Sequence, residues 1–553
     1  MTRNHKTVSF SAHTRPERLR AIQDESFDLL IIGGGITGVG IALDAATRGL
    51  KTVLIEKNDF AFGTSSRSTK LIHGGLRYLK QLEFALVKEV GSERAIVHNL
   101  VPHLVVPEKM LLPLYERRGL GYWLASVGLM IYDWLAGVKP EDQRRMLTKP
   151  QTLRHEPLLK PDDIKGGALY AEYRTDDARL TIEIAKEAHV KGALLINYLA
   201  VTDFRYGNGQ VQGVEVRDVI SGATMSIRAR SVVNAAGPWV DDLREINHSR
   251  KDKHLHLTKG VHVVVPYHRM PVRQAIYFDV PDGRMIFAIP RGRITYIGTT
   301  DTDYSGSKED VYATREDVKY ILDAVNETFP TVHLTLADVE SCWAGLRPLI
   351  HEEGKSASEL SRKDEIFESE SGLISIAGGK LTGYRKMAER VVDLLARKKF
   401  ADRLLPSCST ASIRLAGGGF KSVAEVQIFN KAIAGRMETM GLKGDEGTYL
   451  VHLFGRQAGD IIEEAAQVKD QDPDVALLLS ALRYCIRNEM VVKASDFLVR
   501  RKGLLYFNLH RLLKFKEPVL LEMASQFNWS AERIAVERNE MEELIKQTLQ
   551  FKS

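Results

Sequence analysis

The chain has 553 residues, 44% of them hydrophobic and 27% charged, which excludes a disordered chain, a collagen-like repeat and a coiled-coil rod. Its 77 basic and 71 acidic residues leave a net charge of +6, too small a surplus to mark a nucleic-acid binder. Three separated cysteines, Cys342, Cys408 and Cys485, form no Cys-x-x-Cys pair, so a zinc ribbon, a thiol redox motif and a disulfide framework are not expected, no metal site is expected, and the compartment reads as reducing.

The first 24 residues carry Arg3, Lys6, Arg15, Arg18 and Arg20 without the apolar stretch of about 7–15 residues that a secretory signal needs. They read as a solvated extension, with the ordered fold starting near Phe27. The strongest local signal follows. Leu29 to Ile32 is a continuous apolar strand feeding Gly33-Gly34-Gly35-Ile36-Thr37-Gly38. Gly33 permits the tight turn, Gly35 the approach of a pyrophosphate, and Gly38 close packing of helix on strand. The helix presents its first amides to phosphate. A second strand, Thr52 to Ile55, ends at Glu56-Lys57, where a carboxylate accepts hydrogen bonds from an adenosine ribose. The turn alone does not separate NAD from FAD. Thr64, Ser65, Ser66, Ser68 and Lys70 then form a polar loop suited to pyrophosphate and ring contacts, although any of its hydroxyls also suits a helix cap.

Leu120 to Gly137 is apolar and aromatic but holds Asp133 and falls short of the roughly 20 residues of a spanning helix. A cap helix is the favoured reading; an interfacial helix is the alternative. From Gly167 to about Leu395, short β-rich runs (GVHVVVP, MIFAIP, ITYIGTT) alternate with helical stretches. Two of the strands end in small residues: Ser231 to Gly237, where Ala236 and Gly237 suit contact with a bound cofactor, and Ile374 to Gly383, where Gly379, Leu381 and Thr382 start another helix. A nucleotide site rebuilt from such distant segments favours FAD over a nicotinamide. Pro406 to Gly419 reads as a linker, and the remainder is helical and charged. Arg500, Arg501 and Lys502 form a short basic cluster suited to solvent, acidic lipid or the catalytic domain.

The segments GTSSRSTKLIHGGLRYL, KGVHVVV, GRMIFAIPR, GTTDTDY, WAGLRPL, GGKLTGYRKMAE and DFLVRRKGLLY, in that order, resemble the FAD-dependent glycerol-3-phosphate dehydrogenases over nearly the whole chain. The resemblance implies an α/β plus α architecture. It combines a glutathione-reductase-like FAD-binding Rossmann domain, a D-amino-acid-oxidase-like mixed β-sheet substrate domain and a C-terminal helical domain. The expected boundaries are an extension over 1–24, interleaved FAD segments (about 25–105, 170–255 and 335–400) and substrate segments (about 106–169 and 256–334), a linker over 401–420, and helices over 421–553. Related oxidases tend to carry an extra mid-chain insertion; its apparent absence favours a dehydrogenase.

The implied reaction takes a hydride from C2 of glycerol 3-phosphate to flavin N5 and a proton from the C2 hydroxyl, with electrons passed on to a quinone. Arginine forks suit the phosphate. By resemblance Arg77 and Arg362 meet the phosphate, with Tyr78 as a further donor, and Arg347 meets the reacting oxygen. His262, in KGVHVVV, faces the substrate and is one candidate base; Lys380 is the other. His73, Gly74 and Gly75 belong to the flavin cradle, and Val201 brings backbone to the adenine by resemblance only. The expected setting is cytoplasmic, with peripheral contact on an acidic membrane surface. A homodimer is compatible with this reading. An oxidase producing hydrogen peroxide, an amine oxidase of the same fold and a flavin-binding regulatory module are the competing readings.

Overall fold

A computed structural model describes residues 9–72, 84–116, 130, 143–251, 253–351, 363–468 and 471–552. The Ser26–Ile32 strand lies at the centre of the first sheet because its Leu29–Ile32 run is apolar and buried on both faces. It pairs in parallel with Thr52–Ile55 on one side and Thr224–Asn234 on the other. Leu194–Ile196 extends the parallel set beyond Thr52–Ile55, and Ile374–Gly378 extends it beyond Thr224–Asn234. Asp364–Glu368 closes that edge antiparallel, and a Leu199–Gly207/Gln210–Asp218 hairpin pairs with Thr224–Asn234. Helices Ile36–Thr47, Asp177–Val190 and Tyr384–Lys398 pack together over the sheet.

The second sheet is mixed and ten-stranded. Its order runs Thr302–Asp303, Leu255–Pro266, Ile294–Gly298, Met285–Arg291, Ala275–Asp279, Val106–Tyr115, Ile164–Arg174 and Leu71–Ile72. Ser341–Ile350 pairs along nearly all of Leu255–Pro266, and Arg145–Thr148 pairs with Ile164–Arg174. Ser341–Ile350, expected with the FAD-binding segments, is therefore a substrate-sheet strand: its register with Leu255–Pro266 gives it a full hydrogen-bonding partner there. The chain after Val423 is helical from Val423–Thr439 to Ala531–Leu549, and its apolar core is continuous with one face of the second sheet through residues such as Tyr296 and Trp343.

The N-terminal expectation also changes, because the segment packs on the fold from Phe10 onward. Phe10, Arg15 and Arg18 are buried. The Arg15 guanidinium forks onto Asp218 at 2.6 and 3.2 Å and reaches the carbonyls of Asn197 and Tyr198. Arg18 donates to the carbonyls of Ser9 and Leu195, and burial lowers its pKa to about 10. Arginines in a charged-looking terminus thus act as tethers. The Arg500-Arg501-Lys502 cluster is likewise buried rather than turned to solvent or lipid. Arg500 and Arg501 meet the Asp59 carboxylate of the first domain, which is the catalytic-domain contact that the sequence left open. Of the Leu120–Gly137 segment only Met130 is described. No helix among the described residues is long and apolar enough to cross a membrane.

Candidate active site

The glycine turn has the constraints that its sequence announces. Gly33 sits at φ +114°, and a Cβ there would lie 2.5 Å from the Ala235 carbonyl oxygen. A Cβ on Gly38 would lie 1.9 Å from the Gly33 carbonyl oxygen. Gly35 differs: the nearest atom to a Cβ there is Ser65 Oγ at 3.2 Å, so protein packing does not demand glycine as it does at the other two. A ligand phosphate passing close to this backbone would. The Glu56 carboxylate accepts from Gly34 N at 2.6 Å and from Asn58 N at 2.8 Å. Burial pushes its pKa up, against those two bonds. Strand, turn, helix start and acid are therefore placed to hold a dinucleotide.

The polar loop over Thr64–Lys70 is tied into the fold by its own side chains. Ser65 Oγ accepts from Ile36 N at 2.9 Å and so caps the dinucleotide helix from a distant segment. Thr64 Oγ1 donates to the Leu346 carbonyl at 2.7 Å, tying the loop to the substrate sheet. Ser66 Oγ makes only long contacts to the Phe62 and Gly63 carbonyls. Ser68 donates through N and Oγ to Asp177. Lys70, in the left-handed region at φ +59°, buries its ammonium on Asp177 at 2.5 Å and the Ser66 carbonyl at 2.9 Å. Its side chain is thus a strut for the loop. Lys57 likewise places its ammonium on Glu309 and over the Trp239 ring, 4.2 Å from the centroid.

His262, Trp343 and Arg347 share one face of the substrate sheet. Trp343 is register partner to His262, Arg347 lies four residues along the same strand, and the register partner of Arg347 is Thr258, four residues before His262. The imidazole stacks on the indole at 4.7 Å with planes 10° apart. Glycines make the room: a Cβ on Gly298 would strike the His262 ring at 2.3 Å, and one on Gly260 would strike the Arg347 guanidinium at 2.2 Å. Arg347 donates to Thr300 O, Asp301 and Thr299 Oγ1 at 2.9–3.1 Å. His262 is buried, with Nε2 3.0 Å from Thr69 Oγ1 and Nδ1 without a hydrogen-bond partner among the described residues. Burial first, then the positive charges of Arg347 and Lys70, push its pKa well below the usual value. A neutral imidazole at physiological pH is the form that accepts a proton.

The loop lies directly on this face. Trp343 Nε1 donates to the Ser68 carbonyl at 3.2 Å, Tyr296 OH donates to the Thr69 carbonyl at 3.2 Å, and a Cβ on Gly345 would meet the Arg67 carbonyl at 2.6 Å. Ser341–Ile350 also packs on Ile374–Gly378, where Gly378 and Gly379 turn at φ +77° and +78° before Lys380. Lys380 precedes the Leu381–Gly383 turn, with Thr382 buried and Leu381 half-buried. Ala236 and Gly237 lie beyond the Thr224–Asn234 strand, with Ala236 N donating to Asn234 Oδ1. Val201 lies in the Leu199–Gly207 hairpin strand, opposite Val216. His73, Gly74, Gly75, Arg77, Tyr78 and Arg362 lie outside the described residues.

Thr69, Trp343 and Asp177 were not singled out by the sequence reading. Thr69 sits inside the quoted polar loop, and the four-residue spacing of Trp343 and Arg347 in a strand puts both on one face. Asp177 carries no signal beyond a helix start.

The comparisons with known proteins agree with this geometry. Residues 28–385 match the family model of FAD dependent oxidoreductases, and residues 408–534 match the C-terminal domain of alpha-glycerophosphate oxidase. An aerobic glycerol-3-phosphate dehydrogenase of Staphylococcus haemolyticus is 49% identical over 95% of both chains. The chain belongs to the aerobic glycerol-3-phosphate dehydrogenase family. Another member, from Staphylococcus aureus strain USA300, is 47% identical over 98% of both chains. The crystal structure of the glycerol-3-phosphate dehydrogenase from Bacillus halodurans complexed with FAD superposes with a TM-score of 0.84, at 46% identity and 98% coverage of each chain. The family's FAD-dependent oxidoreductase fold, with its mixed sheets and C-terminal helical domain, is the fold described above.

Proposed function

We propose that this protein oxidises sn-glycerol 3-phosphate to dihydroxyacetone phosphate and delivers the electrons to a respiratory quinone. The observation that carries the reading is the convergence of His262, Trp343 and Arg347 on the Thr64–Lys70 loop, which runs on from the dinucleotide turn. Gly33, Gly35, Gly38 and Glu56 hold FAD in this reading, with Ser65, Ala236, Gly237, Gly379, Leu381 and Thr382 around it. Bound FAD supplies the acceptor for the C2 hydride.

The chain's own residues do the rest. Arg347 directs its positive charge at the C2 oxygen and favours the developing alkoxide. His262, neutral because it is buried beside cations, takes the hydroxyl proton; Lys380 is the alternative acceptor of that proton. Arg77, Tyr78 and Arg362 take the phosphate. The stacked Trp343 fixes the imidazole plane. Docking on the inner face of an acidic membrane accompanies quinone reduction in this reading.

Anaerobic addition of glycerol 3-phosphate to the FAD-loaded protein tests the proposal. Bleaching of the visible flavin band is expected, with none from glycerol or D-amino acids. An unchanged spectrum in protein that retains FAD overturns the substrate. Reoxidation by a soluble quinone that far outpaces reoxidation by oxygen supports the dehydrogenase; the reverse order makes it an oxidase.

A further inference from the structure

The helical domain sets Tyr506 and Phe507 against Trp343 of the substrate-sheet face, with ring centroids at 5.4 and 5.8 Å, and it also holds the segments that carry the adenosine-side candidates. Glu56 and Val201 lie on two adjacent stretches of chain. These are laced together by Glu56 N to Ile196 O at 2.9 Å, Tyr198 N to Asn58 O at 3.0 Å and Leu199 N to Glu56 O at 2.7 Å. Each stretch is gripped by the π-helical turn Asp496–Arg501. On the first, the Asp59 carboxylate accepts from Arg500 Nε at 2.6 Å and from Arg501 Nη1 and Nη2 at 2.7 and 3.0 Å. On the second, Tyr198, left-handed at φ +59°, donates its hydroxyl to Asp496 at 2.5 Å. Arg500 closes the circuit by donating to the same Asp496 oxygen at 2.8 Å. Both acids and both arginines are buried. Burial alone would raise the Asp59 pKa; the two guanidiniums bring it below its usual value, so the carboxylate is ionised and the pairing is electrostatic.

A buried ion pair of this kind is weak evidence for stability, because desolvation offsets much of its attraction. It does fix geometry, since each fork accepts one orientation of its carboxylate. A π-helical turn, moreover, recurs at functional sites rather than in plain packing. We infer that Asp59, Tyr198, Asp496, Arg500 and Arg501 are positioning residues through which the C-terminal domain sets the adenosine end of the FAD site. The inference rests on the FAD-binding reading of Glu56 and Val201.

The test uses the full-length chain, stripped of FAD and reloaded. FAD affinity is read by quenching of flavin fluorescence, and thermal midpoints are taken with and without FAD. Arg500→Lys, Tyr198→Phe and Asp59→Asn are compared with Glu56→Gln. The dissociation constant for FAD is expected to rise at least fivefold in Arg500→Lys and Tyr198→Phe, and further in Asp59→Asn. The midpoint gain on adding FAD is expected to shrink, while the KM for glycerol 3-phosphate at saturating FAD stays within twofold. A purely structural role would lower both midpoints equally and leave FAD affinity unchanged, which overturns the inference. If Asp59→Asn does not fold, the other two variants decide. If Glu56→Gln leaves FAD affinity unchanged, the reading of Glu56 fails; if it weakens FAD and the clamp variants do not, only the inference fails.

Discussion

Two regions of the molecule bury charge, and they do so differently. At the junction of the first domain with the C-terminal helices, charges are packed in closed circuits. Arg179 donates to Glu489 at 2.6 and 2.9 Å and to Glu183 at 2.5 Å, with all three side chains inaccessible. Lys186 bridges the same two acids and also donates to Gln457 and Tyr484. On the substrate-sheet face, by contrast, His262 keeps a buried Nδ1 with no hydrogen-bond partner among the described residues, and Arg347 directs donors at a carbonyl and a hydroxyl as well as at Asp301. Buried charge that is matched acid to base sets architecture. Buried polarity left partly unmatched is poised for a proton or an anion.

Breaking each region should therefore give different symptoms. His262→Ala should slow flavin reduction by about 10²–10⁴-fold with FAD retained, as expected for loss of a general base. Anaerobic stopped-flow spectroscopy reads this directly; a loss below tenfold would shift the proton to Lys380. Glu489→Gln should cost about 3–5 kcal/mol of stability, because it leaves two buried cations, Arg179 and Lys186, sharing the single carboxylate of Glu183 in a dry interior. The expected sign is a large drop in thermal midpoint, with the surviving folded fraction still reduced by substrate.

The glycine turn sharpens the contrast at a smaller scale. Gly35→Ala meets only Ser65 Oγ, so the apoprotein should fold, while FAD affinity should fall roughly tenfold, about 1.4 kcal/mol. Gly38→Ala, blocked by the Gly33 carbonyl, should lose the fold of the turn itself. Equal behaviour of the two variants would remove the argument for a phosphate at Gly35.

The weakest effect is the pH dependence of stability. Burial lowers the pKa of His189 to about 4 and that of His452 to about 3, and it also lowers His262. These groups bind protons more readily when unfolded, so their contribution is complete above about pH 6.5 and is lost as pH falls toward 4 and 3. Glu537, raised to about 7 by burial, works in the opposite direction between about pH 4.5 and 7, as do other buried carboxyl groups such as Glu93 and Glu156, whereas His103 is lowered by burial like the other three histidines. The thermal midpoint should therefore fall on acidification below pH 6.5, with a slope on the order of 1 kcal/mol per pH unit. His189→Phe should flatten it. An unchanged slope in that variant would mean that His189 is not the titrating group.

The sequence by itself determined the dinucleotide turn, because each glycine there answers a local constraint: a positive φ at Gly33, a backbone contact at Gly38, an open approach at Gly35. It also placed His262 on a strand, since an apolar β-rich run is a local pattern. Only the tertiary structure decided which strands pair. Ser341–Ile350 carries Arg347 to His262 through a ladder with Leu255–Pro266, about 80 residues earlier in the chain, and nothing local in WAGLRPL specifies that partner. The same holds for charge. Arg15 and Arg18 read as solvated in the sequence, Lys70 as part of a cofactor loop, and Arg500 and Arg501 as open to solvent, lipid or the catalytic domain, because a cation's burial depends on an acid that is distant in the chain. Asp218, Asp177 and Asp59 supply those acids, with the Ser9 and Leu195 carbonyls serving Arg18, only after the chain has folded.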